Sequence, residues 1–265
     1  MIEPEDTAPT SRTPLPLERI AAVIFDMDGV VTDTASLHSR CWKLVFDEFL
    51  RGCPETAGAD LRPFDDDDYL RFVDGKPRYD GVESFLSSRH LHLGRGSPSD
   101  PPGHGTVCAL GNLKDHEFER LVAEDGVAVF DSTVDLIRSL REHRVRTALI
   151  SSSRHARALL ESAGIDDLFD AIVDGIDSDA LHLPGKPDPT VFLTAARAVS
   201  IPPSRAAIVE DAIAGVQAGH RGSFGLVIGI DRGHHAEELR AQGADLVVTD
   251  LSALQWRFSP SEGSR

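Results

Sequence analysis

Short apolar runs alternate with longer amphipathic stretches along most of this chain. The runs occupy residues 20–25, 145–150, 171–173, 206–209, 226–230 and 246–248. Runs of this length, bounded by charged residues or glycines, are typical of strands that are buried on both faces. Their alternation with helical patterns predicts an α/β fold with a Rossmann-like, doubly wound parallel sheet.

One long segment, residues 37–122, breaks this alternation. Its first part repeats apolar residues at helical spacing, at Leu37, Cys41, Leu44, Val45 and Phe49. This spacing predicts an amphipathic helix that leaves the sheet. We therefore predict a helical cap domain, residues 37–122, inserted into a core domain formed by residues 19–36 and 123–256.

Several segments lack a regular apolar period. Within the cap, residues 52–68 and 94–105 predict loops. The acidic run 65–68 predicts a solvated face or a helix start, and a metal site there is the weaker alternative. Residues 1–18 predict a flexible N-terminal tail, and residues 257–265 a C-terminal tail.

Composition narrows the class of protein. The 265 residues are 41% apolar, enough for a sizeable core, and the net charge of −16 argues against binding to nucleic acid or an anionic membrane. The three cysteines show no C-x-x-C spacing, which predicts reduced thiols. The acidic start lacks the apolar region of a signal peptide, and no run approaches ~18 apolar residues. We expect a cytoplasmic monomer.

Two aspartates directly follow the first apolar run, in the order Asp26-Met27-Asp28-Gly29. They therefore lie at the carboxyl end of the first predicted core strand, the sheet edge where open α/β folds bind ligands. One carboxylate there can act as a nucleophile and the second as a proton donor. An acidic turn is the alternative.

Further polar groups follow later strands. Ser151 and Ser152 suit either an anion site or a helix N-cap. Lys186, in a Pro-rich loop before a helix predicted at 190–199, is either a phosphate contact or a solvated charge. Glu210 and Asp211 suit either Mg²⁺ or an ordinary helix N-terminus.

Together these groups are the parts that phosphoryl transfer requires. From about residue 21 to 250, the chain closely resembles the haloacid dehalogenase superfamily, and residues 26–34 with His38 and Trp42 look most like its β-phosphoglucomutase group. The resemblance implies that Asp26 attacks phosphorus and that Asp28 is the acid and base.

The resemblance also implies ligands for the metal and the phosphate. Mg²⁺ would be held by Asp26, the main-chain carbonyl of Asp28, Asp211 and Glu210. Phosphoryl oxygens would be neutralised by Ser151 with the neighbouring amides, including that of Ser152, and by Lys186.

The cap residues implied by the resemblance decide the acceptor. Arg78 would bind the distal phosphate of a bisphosphorylated sugar and Lys114 the substrate. His38 would touch the loop of the general acid, and Thr34 would be a further substrate or cap residue. The expected reaction converts β-glucose 1-phosphate to glucose 6-phosphate with Mg²⁺ and a sugar 1,6-bisphosphate primer.

Two other functions remain open at this stage. The first is a sugar-phosphate phosphatase with the same core, and the more remote one is a non-catalytic binding protein. The chain also departs from the mutase pattern: Asp74 stands where some relatives have a lysine, and residues 94–107 form an elongation.

Overall fold

The computed structural model describes residues 13–15, 19–53, 59–232 and 235–256. It contains the predicted parallel sheet, so the doubly wound α/β fold is confirmed. The strands of this sheet are β2 (Ala22–Asp26), β3 (Arg146–Ile150), β4 (Ala171–Val173), β5 (Ala206–Glu210), β6 (Leu226–Ile230) and β7 (Leu246–Val248). Their order across the sheet is β4-β3-β2-β5-β6-β7.

Helices cover both faces of this sheet. They are α5 (Asp131–Glu142), α6 (Ala156–Ser162), α7 (Gly175–Ala180), α8 (Thr190–Ala198), α9 (Ile213–Arg221) and α10 (Ala236–Ala241). Alternate side chains of β2 enter separate apolar clusters, Val23 and Phe25 on one face and Ala22 and Ile24 on the other. This two-sided burial explains why the strands read as continuous apolar runs.

A second, two-stranded sheet pairs β1 (Thr13–Leu15) with β8 (Leu254–Trp256). Thr13–Leu15 are therefore not part of a tail. The rest of the predicted N-terminal tail, residues 1–12 and 16–18, and the predicted C-terminal tail, 257–265, lie outside the described residues.

The segment predicted as the cap, called the cap below, contains α1 (Ala35–Gly52), α2 (Asp66–Asp68), a π-helical turn (Tyr69–Val73), α3 (Arg78–Ser88) and α4 (Val107–Asp125). It has its own apolar core around Phe46, Phe64 and Phe85. The predicted amphipathic helix is present as α1, but Leu44 is 46% exposed and so does not belong to its buried face.

The acidic run 65–68 forms the start of a helix, which was one of its predicted roles. The Asp65 side chain accepts a hydrogen bond from the Asp68 amide in a reciprocal capping box. Asp68 itself is not solvated, because it is fully buried against Arg89 and Arg62.

The strand register brings the carboxyl ends of the central strands level. Asp26 of β2 lies beside Ile150 of β3, and Phe25 lies beside Val209 of β5. Because β2 is the strand at which the order reverses, this edge is the expected place for a ligand. Among the described residues, no helix is long and apolar enough to cross a membrane.

Candidate active site

The polar groups predicted from three strands meet at this edge. Asp26 ends β2, Ser151 directly follows β3, and Glu210 ends β5. Lys186 reaches them from the loop before α8: its Nζ lies 2.5 Å from Asp26 Oδ1 and also donates to Glu210. Lys186 is 5% exposed. The interpretation of Lys186 as a solvated charge is therefore wrong.

The serines after β3 face the site rather than capping a helix. Helix α6 begins at Ala156 with His155 as its N-cap, so neither Ser151 nor Ser152 has that role. Ser151 Oγ donates to Asp28 Oδ2 over 3.3 Å. Ser152 Oγ donates over 3.3 Å to the carbonyl of Gly75, which belongs to the cap.

Asp28 is held by groups from the same loop and from α1. Thr34 Oγ1 donates to its Oδ1, and His38 Nε2 lies 3.3 Å from that same oxygen. Burial by itself raises the pKa of Asp28, but His38 and the Thr34 hydrogen bond outweigh it and lower this pKa to about 2. In this arrangement Asp28 is an ionised proton acceptor.

His38 connects Asp28 to the cap. Its Nδ1 lies 2.5 Å from Lys114 Nζ, and its ring stacks on Phe118 with centroids 4.2 Å apart. Because a lysine ammonium only donates, this contact leaves the proton of a neutral His38 ring on Nε2, facing Asp28. Burial lowers the pKa of Lys114 to about 8.

In the described part of the site, three buried carboxylates lie near one buried lysine, Lys186, so their negative charge is only partly neutralised. Asp26, Glu210 and Asp211 offer carboxylate oxygens within 4.8 Å of one another, and all three residues are buried. Burial together with neighbouring carboxylates raises the pKa of Asp26 and of Asp211, although Lys186 opposes this. Such an excess of hard oxygen ligands fits Mg²⁺.

The backbone leaves room for these acids. Gly29 has φ +78°, and a Cβ there would lie 1.7 Å from Asp211 Oδ2. A side chain at position 29 would therefore push Asp211 out of the cluster.

Arg78 lies at the start of α3, where it contacts two residues of α4. Its Nη2 lies 2.7 Å from Asp115 Oδ1, and its Nη1 donates to Asn112 Oδ1 over 3.3 Å. The Asn112 amide also donates to the carbonyls of Pro98 and Asp100, which anchors the predicted 94–107 elongation.

Asn112, Asp115 and His155 were not predicted as site residues. The first two flank Lys114 in the sequence, and His155 follows the serine run, so proximity to predicted residues was the available signal. Asp74, which lines the same cleft, has its pKa raised to about 6 by burial and by Glu210.

Comparison with known proteins identifies the class. The model of the haloacid dehalogenase-like hydrolases matches residues 20–222, so the chain belongs to this family and is an enzyme. Phosphotransferases of this family generally use Mg²⁺.

The relatives include both β-phosphoglucomutases and a phosphatase. A β-phosphoglucomutase of Mycobacterium tuberculosis is 44% identical over 241 residues, covering 89% of this chain and 92% of the relative. The validoxylamine A 7'-phosphate phosphatase of Streptomyces hygroscopicus subsp. limoneus is 26% identical, covering 88% and 95%. The crystal structure of a Clostridium difficile β-phosphoglucomutase superposes with a TM-score of 0.68 at 24% identity, covering 89% and 93%, and so shares the fold.

Proposed function

We propose that this enzyme is a β-phosphoglucomutase, which interconverts β-glucose 1-phosphate and glucose 6-phosphate through an aspartyl phosphate. In the primed enzyme, a sugar hydroxyl gives its proton to the ionised Asp28 and attacks the phosphorus carried by Asp26, while the bond from that phosphorus to Asp26 breaks. In the other half, an Asp26 oxygen attacks the second phosphorus of the bisphosphate while the ester bond to the sugar oxygen breaks, and that oxygen takes the same proton back from Asp28.

The other site residues stabilise charge during this transfer. Lys186 and Ser151 neutralise the phosphoryl oxygens. Asp26, Asp211 and Glu210, with the carbonyl of Asp28, would hold Mg²⁺, which offsets the repulsion between a carboxylate nucleophile and a phosphate dianion. A sugar 1,6-bisphosphate is the expected primer, because it leaves a phosphate on Asp26.

The observation that carries the choice of a mutase is the chain of contacts from Lys114 through His38 to Asp28. Through these contacts, Lys114 of the cap helps to hold Asp28, the group that transfers the proton. Because the cap is needed for proton transfer, a sugar hydroxyl enclosed between cap and core is favoured as the acceptor over bulk water. The 44% identity to a β-phosphoglucomutase supports the same choice.

The test supplies β-glucose 1-phosphate with and without glucose 1,6-bisphosphate and measures glucose 6-phosphate and free phosphate. We expect primed isomerisation with little free phosphate. Asp26→Asn should lower both products more than about 10³-fold while the circular dichroism spectrum is unchanged. Stoichiometric phosphate release without isomerisation would instead identify a sugar-phosphate phosphatase; the Streptomyces relative is also a phosphatase.

A further inference from the structure

Arg78 already has an anionic partner in this structure. The carboxylate of Asp115 lies 2.7 Å from its Nη2, while Asn112 accepts from its Nη1. The side chains of Arg78 and Asp115 are 17% and 21% exposed, so water screens this pair only in part. The guanidinium fork that would bind a distal phosphate is thus engaged by the protein itself.

The same carboxylate also contacts the core domain. Asp115 Oδ1 lies 3.2 Å from Nε2 of His155, in the loop that follows β3. Asp115 therefore lies between a cap arginine and a core histidine, two groups of the kind that bind a phosphate. Glu119 is farther from His155, at 3.7 Å, and no contact between Glu119 and Arg78 is found among the described residues.

From these contacts we infer that Asp115 is a specificity-determining residue that competes with the distal phosphate of the substrate for Arg78. This inference rests on the proposed function. A phosphate dianion that reaches Arg78 must displace the Asp115 carboxylate or bind beside a like charge. Asp115 therefore weakens the hold on the bisphosphate, which has to turn around or leave before the next phosphate can be transferred.

The test compares Asp115→Asn, which keeps the shape of the side chain but removes its charge, with Glu119→Gln as a matched control. Both changes are made in an Asp26→Asn background so that no turnover occurs. Calorimetry with Mg²⁺ measures the Kd of glucose 1,6-bisphosphate and of inorganic phosphate. We expect Asp115→Asn to bind the bisphosphate about tenfold more tightly, because a like charge has been removed from a partly buried site.

Inorganic phosphate has no distal group, so Asp115→Asn should change its Kd by less than about twofold. Glu119→Gln should change the Kd of the bisphosphate and that of inorganic phosphate by less than about twofold as well. Asp115→Ala should change the bisphosphate affinity in the same direction as Asp115→Asn. Unchanged or weaker bisphosphate binding in Asp115→Asn would overturn the inference and make Asp115 a residue that orients Arg78.

Two further outcomes separate the possible causes. Equal effects of Asp115→Asn and Glu119→Gln would also overturn the inference, in favour of a cation held by Asp115, Glu119 and His155, whose ligand atoms lie within 4.8 Å of one another. A wild-type enzyme that only releases phosphate would refute the mutase function. The difference in bisphosphate affinity would still support competition by Asp115.

Discussion

Single charges decide how the proton-transfer group is held. Asp28 is contacted by His38, and His38 in turn by Lys114, whose pKa burial lowers to about 8. Lys114 is therefore protonated below this pH and loses its charge as the pH rises through 8. The state of Asp28 then depends on a lysine that titrates near neutral pH.

We expect kcat for isomerisation to fall as the pH rises above about 8, because neutral Lys114 no longer fixes the tautomer of His38. In Lys114→Met this alkaline limb should disappear and kcat should be about 10²-fold lower at pH 7, in the range for impaired proton transfer. The check is the pH profile of kcat for both proteins. An unchanged alkaline limb in Lys114→Met would assign it to another group.

At the residue scale, the motif positions were predictable and their partners were not. Asp26 and Asp28 were located because they follow an apolar run that forms a strand. The contact of Arg78 with Asp115 joins two cap helices that are distant in sequence, so no local pattern encodes it. The burial of Lys186 could not be predicted for the same reason, because the acids that surround it, Asp26 and Glu210, lie on strands far from it in the sequence.

Among the elements, the short helix α2 depends on a buried ion pair. Arg89 is 1% exposed and donates to Asp68, which is fully buried at the end of α2. Arg89 also donates to the carbonyl of Arg62, so it ties the loop before α2 to the end of α3. This pairing compensates for a carboxylate placed inside the cap.

Arg89→Met should lower the free energy of unfolding by about 3–5 kcal/mol, since it leaves Asp68 buried with only the partly exposed Arg62. Arg95→Met is the matched control: Arg95 pairs with Glu83 on the surface, and its loss should change stability by less than about 1 kcal/mol. Urea titration of both variants measures the difference. Equal destabilisation would show that the buried pair has no special weight.

Helices and strands were predicted well where the spacing of apolar residues was regular along the whole element. The strands β4, β6 and β7 match their predicted bounds, because each is a continuous apolar run between turn residues. The burial of Asp68 and the exposure of Leu44 depend on how the cap packs on itself, which the apolar period does not specify.

At the scale of the whole molecule, binding of Mg²⁺ to the buried carboxylates of the cleft should stabilise the folded protein. Because Asp26, Glu210 and Asp211 are buried together, a cation that binds them should raise the melting temperature of the folded chain. We expect Mg²⁺ to give this rise, and Asp211→Asn to require about tenfold more Mg²⁺ for half the effect. Thermal melts at increasing Mg²⁺ provide the measurement. An identical titration for the two proteins would place the cation away from Asp211.

The final prediction concerns the closure of the cap over the core. In the proposed mutase reaction, the bisphosphate presents first one phosphate and then the other to Asp26, and we propose that Arg78 holds the distal one. Arg78→Ala should therefore reduce transition-state stabilisation for glucose 6-phosphate formation by about 2–4 kcal/mol. Hydrolysis of the phosphoenzyme should fall far less, because water needs no distal anchor.

The ratio of free phosphate to isomerised sugar should accordingly rise in Arg78→Ala, measured on primed β-glucose 1-phosphate. Asn112→Ala is an informative companion, since it removes the neutral partner of Arg78 but keeps the guanidinium. It should move the ratio less than Arg78→Ala does. If both reactions fall equally in Arg78→Ala, the arginine supports the packing of α3 on α4 through Asp115 and does not distinguish a sugar from water.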